Sequence, residues 1–388
     1  MARPPVHTDH HPVVIDRAGL QALIDALIGD GRKVIGPIVR DGAIVYDEIT
    51  QVSELPAGWG DEQKPGRYRL QRRGDDALFG YVVGPDSWKR FLFPPLTVTW
   101  QARIRDGGAE VTPPPAPPRY AFLGVRACEL AAIAIQDRVL IQTTYPDRDY
   151  AARREGALFI AVNCATPAAT CFCTSMGTGP RVGAHHDLAL TELLDGRRPR
   201  FLVEIGSDRG AAVLAKVPAH DAAPTDREAA AAVWSTAAAG ISKTLPADGI
   251  EEVLVRNLEH PRWDTVAARC LSCANCTMVC PTCFCADFRE AGGLDPELSE
   301  QHRSWASCFS VDHSQLHGGS MRYTARSRYR QWMTHKLATW HEQFGTSGCV
   351  GCGRCIAWCP VGIDITEEAA TIRATDGLTR PTTGASTP

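Results

Sequence analysis

The pattern of apolar positions changes character along the chain. Over residues 17–29, Leu20, Leu23, Ile24 and Leu27 recur at helical spacing behind Asp16, a side chain suited to cap a first turn. The stretch VIGPIVRDGAIVYDEI then gives two β-like runs around Asp41-Gly42, a dipeptide that closes hairpins because both residues tolerate positive φ. Tyr68 to Gln71 reads as a short strand. PPPAPP at 113–118 reads as an extended connector that neither a helix nor a central strand accommodates. Beyond it the pattern becomes β–α–β: a strand from Tyr120 to Val125, a helix from Ala127 to Leu140 and a second buried strand from Ala157 to Val162. Leu188 to Leu193 and Phe201 to Ile205 add strands, and an alanine-rich helix follows at about 226–239. Strand-like runs stop near Ala247-Asp248-Gly249, where a domain boundary is expected.

The 388 residues carry a net charge of −3 and 44% hydrophobic residues, enough for a sizeable core and no global field for nucleic acid. The longest apolar runs, such as Leu130 to Ile135, are far short of the roughly 20 residues that span a bilayer, and the N-terminus lacks the apolar segment of a secretory signal. A cytoplasmic protein without direct membrane insertion is expected. Cysteine is the outlier. Fifteen are present, four between Cys128 and Cys173, seven between Cys270 and Cys308, and four between Cys349 and Cys359, with none in the first 127 residues. In a reducing compartment such clusters point to metal ligation before disulfides.

Two runs carry the chemistry. Cys270-x2-Cys273-x2-Cys276-x3-Cys280-Pro281 and Cys349-x2-Cys352-x2-Cys355-x3-Cys359-Pro360 repeat the bacterial ferredoxin pattern. Two-residue gaps let a tight loop wrap three thiolates around one cube. The fourth, three residues on, points away and ligates the other cube. Crossed ligation follows: Cys270, Cys273, Cys276 and Cys359 for one 4Fe-4S cluster, and Cys349, Cys352, Cys355 and Cys280 for a second. Zinc also uses C-x2-C, but draws its ligands from two separated pairs and fits a three-plus-one run badly.

The stretches ARCLSCANCTMVCPTCFC, CVGCGRCIAWCPVGID, GVRACELAAIAIQDRV and NCATPAATCFCTSMGTGP together resemble the β (iron–sulfur) subunits of cytosolic nickel–iron hydrogenases of the sulfhydrogenase type. The iron–sulfur subunits of anaerobic sulfite reductases are a related family. The resemblance covers about residues 120–370. It implies an electron-transfer subunit of an oxidoreductase complex, working between a flavin subunit that handles NAD(P)H and a catalytic hydrogenase or sulfite reductase subunit. A stand-alone thiol or sulfur redox enzyme is the alternative from a different class.

Cys128 and Cys164 each follow a predicted strand, so parallel neighbours would bring both to the carboxyl edge of one sheet, with Cys171 and Cys173 in the loop beyond. This quartet reads either as a further Fe–S cluster or as packing cysteines with only the Cys-Phe-Cys pair special. Cys283, Cys285 and Cys308 stand as added ligands, a redox thiol site or packing. TCFC occurs twice, at 170–173 and 282–285. The segment from Met321 to Lys336 has five basic residues and no acidic one. Arg322, Arg326 and Arg330 recur every four residues, a solvated helix face or a docking surface for an acidic partner. No dinucleotide or P-loop fingerprint occurs, so NAD(P)H chemistry by this chain alone is not expected. The fold expected is an α/β N-terminal domain, 1–247, then a mainly helical C-terminal domain, 248–375, with a two-cluster ferredoxin-like core, and a disordered tail, 376–388.

Overall fold

The structure is a computed structural model that describes residues 11–105, 108–194, 199–292 and 297–378. Residues 379–388 of the expected tail lie outside this range. Within it the chain is still attached at 376–377, where Asp376 pairs with Arg256 and Gly377 N donates to Asn257 Oδ1 at 3.0 Å.

The N-terminal strand β1 (Val13–Asp16) leads into the helix Arg17–Gly29, whose first turn is capped by Asp16 accepting from Gly19 N at 2.8 Å. Leu20, Leu23, Ile24 and Leu27 are fully buried on its inner face. Strands β2 (Lys33–Arg40) and β3 (Ala43–Glu48) form the expected hairpin, with Asp41 and Gly42 both at positive φ. A small hairpin, β4 (Trp59–Lys64) with β5 (Arg67–Arg72), stands apart from the main sheet. Then come β6 (Leu96–Arg105), β7 (Gly108–Thr112), β8 (Tyr120–Val125), β9 (Leu158–Val162), β10 (Leu188–Leu193), β11 (Arg200–Ile205) and the short β12 (His220–Asp221).

The main sheet has eight strands in the order β12-β1-β11-β10-β9-β8-β2-β3. Its centre, β2-β8-β9-β10, is parallel, and its flanks are antiparallel. Every residue of β9 and β10 is buried, as strands covered on both faces require. The helix Ala127–Leu140 carries the chain from β8 towards β9, so β8 and β9 end on the same edge.

Beyond residue 248 the expectation of helices and loops alone needs correction. Strands β13 (Ala286–Gly292) and β14 (Leu298–Trp305) form an antiparallel pair, and β14 pairs with β6, giving a four-stranded sheet β13-β14-β6-β7. These strands carry few buried residues, so no apolar alternation marks them in the sequence. The helices that do follow, including Ile250–Arg256, Ala325–Thr334 and Ile365–Ala374, pack a second core around Trp263, Met333, Leu337, Ile356 and Ile372. The chain is thus mixed α/β throughout. Among the described residues no helix is long and apolar enough to cross a membrane.

Candidate metal centres

Both ferredoxin-type runs adopt the same local geometry. Ser272 and Ala274 in the first run, and Gly351 and Gly353 in the second, hold equivalent positions, and all four have positive φ. This left-handed step on either side of the middle cysteine turns the loop back on itself, which is how three closely spaced thiols come to face one point. A short helix follows each loop, Asn275–Met278 and Arg354–Ala357, and carries the chain to Cys280 and Cys359.

One cavity is lined by Cys270, Cys273, Cys276 and Cys359 beside an apolar wall of Phe309, Tyr329, Trp332 and Ile363. Another is lined by Cys280, Cys349, Cys352 and Cys355. Each cavity therefore takes three thiols from one run and one from the other. Val361 lies against the first-run cavity, not beside the second run as its sequence position suggests, because Cys359 has already crossed over. A third cavity gathers Cys128, Cys164, Cys171 and Cys173. Cys128 lies just beyond β8 and Cys164 just beyond β9, at the carboxyl edge of the parallel sheet. The three cavities share walls: Cys355 lines both the first and the second, and Cys352 lines both the second and the third.

The donor sets fit iron–sulfur clusters. Among the described residues no three or more His, Cys, Asp or Glu side chains converge as a single ion requires. The thiols instead surround cavities, the perimeter from which a cube with irons at separate corners takes its thiolates, whereas zinc draws four donors onto one point. All fifteen cysteines are free thiols. Burial pushes the Cys349 and Cys173 thiols up to about 12, so ligation would have to displace tightly held protons. Cys280 is the exception. A hydrogen bond from Cys283 and the nearby Lys336 ammonium hold it well below the usual thiol range, despite its burial. Sulfur atoms also receive backbone donors, with Ser272 N at 3.4 Å from Cys270 Sγ and Ile363 N at 3.3 Å from Cys359 Sγ.

Several residues that shape these centres were not marked by sequence pattern. Gly351 and Gly353 lie so close to the Thr170–Cys173 backbone that a Cβ on either would meet it at 2.6 and 2.3 Å. Phe172 N donates to Gly351 O at 2.9 Å across this contact. Arg354, between Cys352 and Cys355, forms an ion pair with Glu129 on the helix that begins beside Cys128, and both side chains are 1% exposed. Glu129 also accepts from Trp88 Nε1 at 2.8 Å and Tyr46 Oη at 3.0 Å. The signal that could have drawn notice is an Arg and a Glu each adjacent to a cysteine ligand, but nothing local pairs them.

The segment 321–336 corrects an expectation. Arg326 and Arg330 pair with Glu259, Arg326 also with Asp264, and Arg322 donates to Ser314 Oγ at 2.8 Å. Arg328, Tyr329 and Trp332 are buried. The arginine face is occupied within the chain and packs the helix onto the region around Arg262–Ala267, so it is not a free docking surface.

The family model of a 4Fe-4S dicluster domain matches residues 269–363, the span that holds both runs. The chain is 30% identical over 335 residues to sulfhydrogenase 2 subunit beta of Pyrococcus furiosus, a match covering 86% of this chain and 90% of that protein. No solved structure matches it. With this identity spanning nearly all of both chains, and with paired ferredoxin-type runs folded around cluster-sized cavities, the chain belongs to the family of sulfhydrogenase β subunits, iron–sulfur electron-transfer proteins with a 4Fe-4S dicluster domain.

Proposed function

We propose that the chain relays electrons between a catalytic subunit of the hydrogenase type and a flavin-bearing subunit that handles NAD(P)H, in the cytoplasm. Three 4Fe-4S clusters are assigned: Cys270, Cys273, Cys276 and Cys359; Cys349, Cys352, Cys355 and Cys280; and Cys128, Cys164, Cys171 and Cys173. The observation that carries this reading is the sharing of walls between the three thiol-lined cavities, which makes a contiguous path through the chain. When bound, the clusters would supply one-electron carriers. The protein's part is to fix their ligands, exclude water and tune their charge. Phe309, Tyr329 and Trp332 keep the first-run cavity dry, and Lys336 Nζ places a cation 3.3 Å from Cys280 Sγ. Cys273 and Leu271 are exposed, so the first-run centre is the one suited to exchange electrons at the surface. Residues 248–375 would form the dicluster unit and 1–247 the α/β unit, fastened by the β6–β14 pairing and the Arg354–Glu129 pair.

The test uses the full chain purified without oxygen. Dithionite-reduced protein should be reoxidised by the catalytic subunit of a hydrogenase, while the chain alone should not turn over NAD(P)H, sulfite or sulfur compounds with an artificial donor. Turnover of any of these by the isolated chain would make it a stand-alone redox enzyme. Reoxidation only by the catalytic subunit of an anaerobic sulfite reductase would move the assignment to the iron–sulfur subunit of that complex.

A further inference from the structure

Cys283, Cys285 and Cys308 lie outside the three quartets, yet they line one cavity, together with His313. At about 160 Å³ it is the roomiest of the thiol-lined cavities, against 20 to 30 Å³ for the other three. It shares Lys336 as a wall with the second-run cavity, as the other two share Cys355 and Cys352 with it.

Three independent features make this cavity more than a pocket of packing thiols. The first is the repeated TCFC. In Thr170-Cys171-Phe172-Cys173 both thiols face a cavity while Phe172 is buried in the second core. Thr282-Cys283-Phe284-Cys285 repeats this partition. Both thiols line the cavity, and Phe284 packs edge-on against the Trp340 and Phe344 rings, at 5.5 and 5.9 Å between centroids. The two segments flank the Cys349–Cys355 loop, Phe172 N donating to Gly351 O and Thr282 Oγ1 to Gly348 O.

The second is buried positive charge. Lys89 and Lys336 are 4% and 3% exposed, and neither has a carboxylate partner among the described residues. Lys89 Nζ donates to Cys283 O at 3.1 Å and lies 3.8 Å from the Trp305 ring centre. Lys336 Nζ donates to Cys280 Sγ, Thr282 Oγ1 and Gly348 O. Two buried ammonium groups require compensating negative charge nearby. The Cys280 centre supplies part; the thiols of this cavity are the remaining anionic candidates in contact with the same groups.

The third is local backbone. Residues His335–Thr339, which position Lys336, wind as a π-helix, a distortion concentrated at functional sites. His313 stands with Nδ1 3.9 Å from Asp287 Oδ1, a carboxylate–histidine arrangement that leaves Nε2 available as a ligand.

We propose that Cys283, Cys285 and Cys308, with His313 as the fourth ligand, hold an additional iron–sulfur cluster, making the Cys280/Cys349/Cys352/Cys355 centre a junction with three neighbours. This goes beyond the three-cluster relay and stands or falls separately from it. Full-length protein purified without oxygen should bind about 16 irons and as many sulfides per chain, four cubes' worth, where the relay alone requires about 12. Cys285→Ser and Cys308→Ser, on different segments, should each lower both contents by about four, with far-UV circular dichroism unchanged. His313→Cys should keep the iron but abolish a histidine-nitrogen coupling in the pulsed-EPR spectrum of the reduced protein. A wild-type content near 12, or Cys285→Ser and Cys308→Ser proteins with undiminished iron and sulfide, would overturn the proposal and leave the relay intact. A nitrogen coupling that survives His313→Cys would remove His313 from the ligand set. A content near 8 would overturn both this site and the Cys128/Cys164/Cys171/Cys173 assignment.

Discussion

The Arg354–Glu129 pair offers the sharpest test of how the α/β region and the dicluster region are joined. The two residues are separated by 225 positions, both are almost fully buried, and Arg354 sits between two thiols of the second-run cavity. Glu129 Oε1 faces Arg354, while Oε2 accepts from Tyr46 Oη and Trp88 Nε1. Glu129→Gln is therefore a selective perturbation. Its carbonyl can still serve Tyr46 and Trp88, but its amide meets the guanidinium and strands a buried charge. Breaking a buried pair from one side costs about 3–5 kcal/mol, whereas replacing both partners with neutral groups is often close to neutral. Taking an unfolding entropy of roughly 2.1 cal/mol/K per residue over the 388 residues, the single variant should melt about 4–6 °C lower. Arg354→Met should also lose stability, by leaving the carboxylate unpaired. The double variant should recover to within about 2 °C of wild type, a coupling that distant residues do not show. Differential scanning calorimetry at one scan rate, on anaerobic protein, measures all four. Additive losses in the double variant would refute the reasoning, since they would mean that neither charge compensates the other.

Cys359→Ser should remove the cluster of the first run while leaving the EPR signal of the second-run centre, because Cys359 lines the Cys270/Cys273/Cys276 cavity; loss of the second-run signal instead would show that ligation is local. Gly351→Ala should cost iron at the Cys171/Cys173 site, since its Cβ would meet the Phe172 backbone at 2.6 Å. Gly177→Ala has a similar φ and nothing within 4 Å, so it should keep full iron; equal iron in the two proteins would contradict this. Lys336→Met takes a buried cation and a hydrogen-bond donor from Cys280 Sγ, so the second-run centre should become harder to reduce. An EPR-monitored redox titration reads the shift, and an unchanged midpoint would rule out electrostatic tuning by this lysine.

What could be read from the sequence alone is whatever local spacing encodes. Asp41-Gly42 specifies its hairpin because positive φ at both positions is a property of those two residues. The helix Arg17–Gly29 shows its buried face through period and cap. The three-plus-one cysteine runs point to clusters because loop geometry between ligands is set within a dozen residues, and the strand–helix–strand pattern put Cys128 and Cys164 on one sheet edge for the same reason. The tertiary structure decided everything that depends on partners far apart in the chain. β6 meets β14 some 200 residues later through backbone groups that leave no side-chain signature, as in the Thr99 contact with Gln301. The arginines of 322–330 look free in a segment without acids, yet Glu259 and Asp264 arrive from another helix and engage two of them. Lys89, Lys336 and Cys308 acquire meaning only when folding buries two cations beside the same thiols. Charge compensation acts through space within a few ångströms, and a linear pattern carries no record of which distant groups the fold will bring inside that distance.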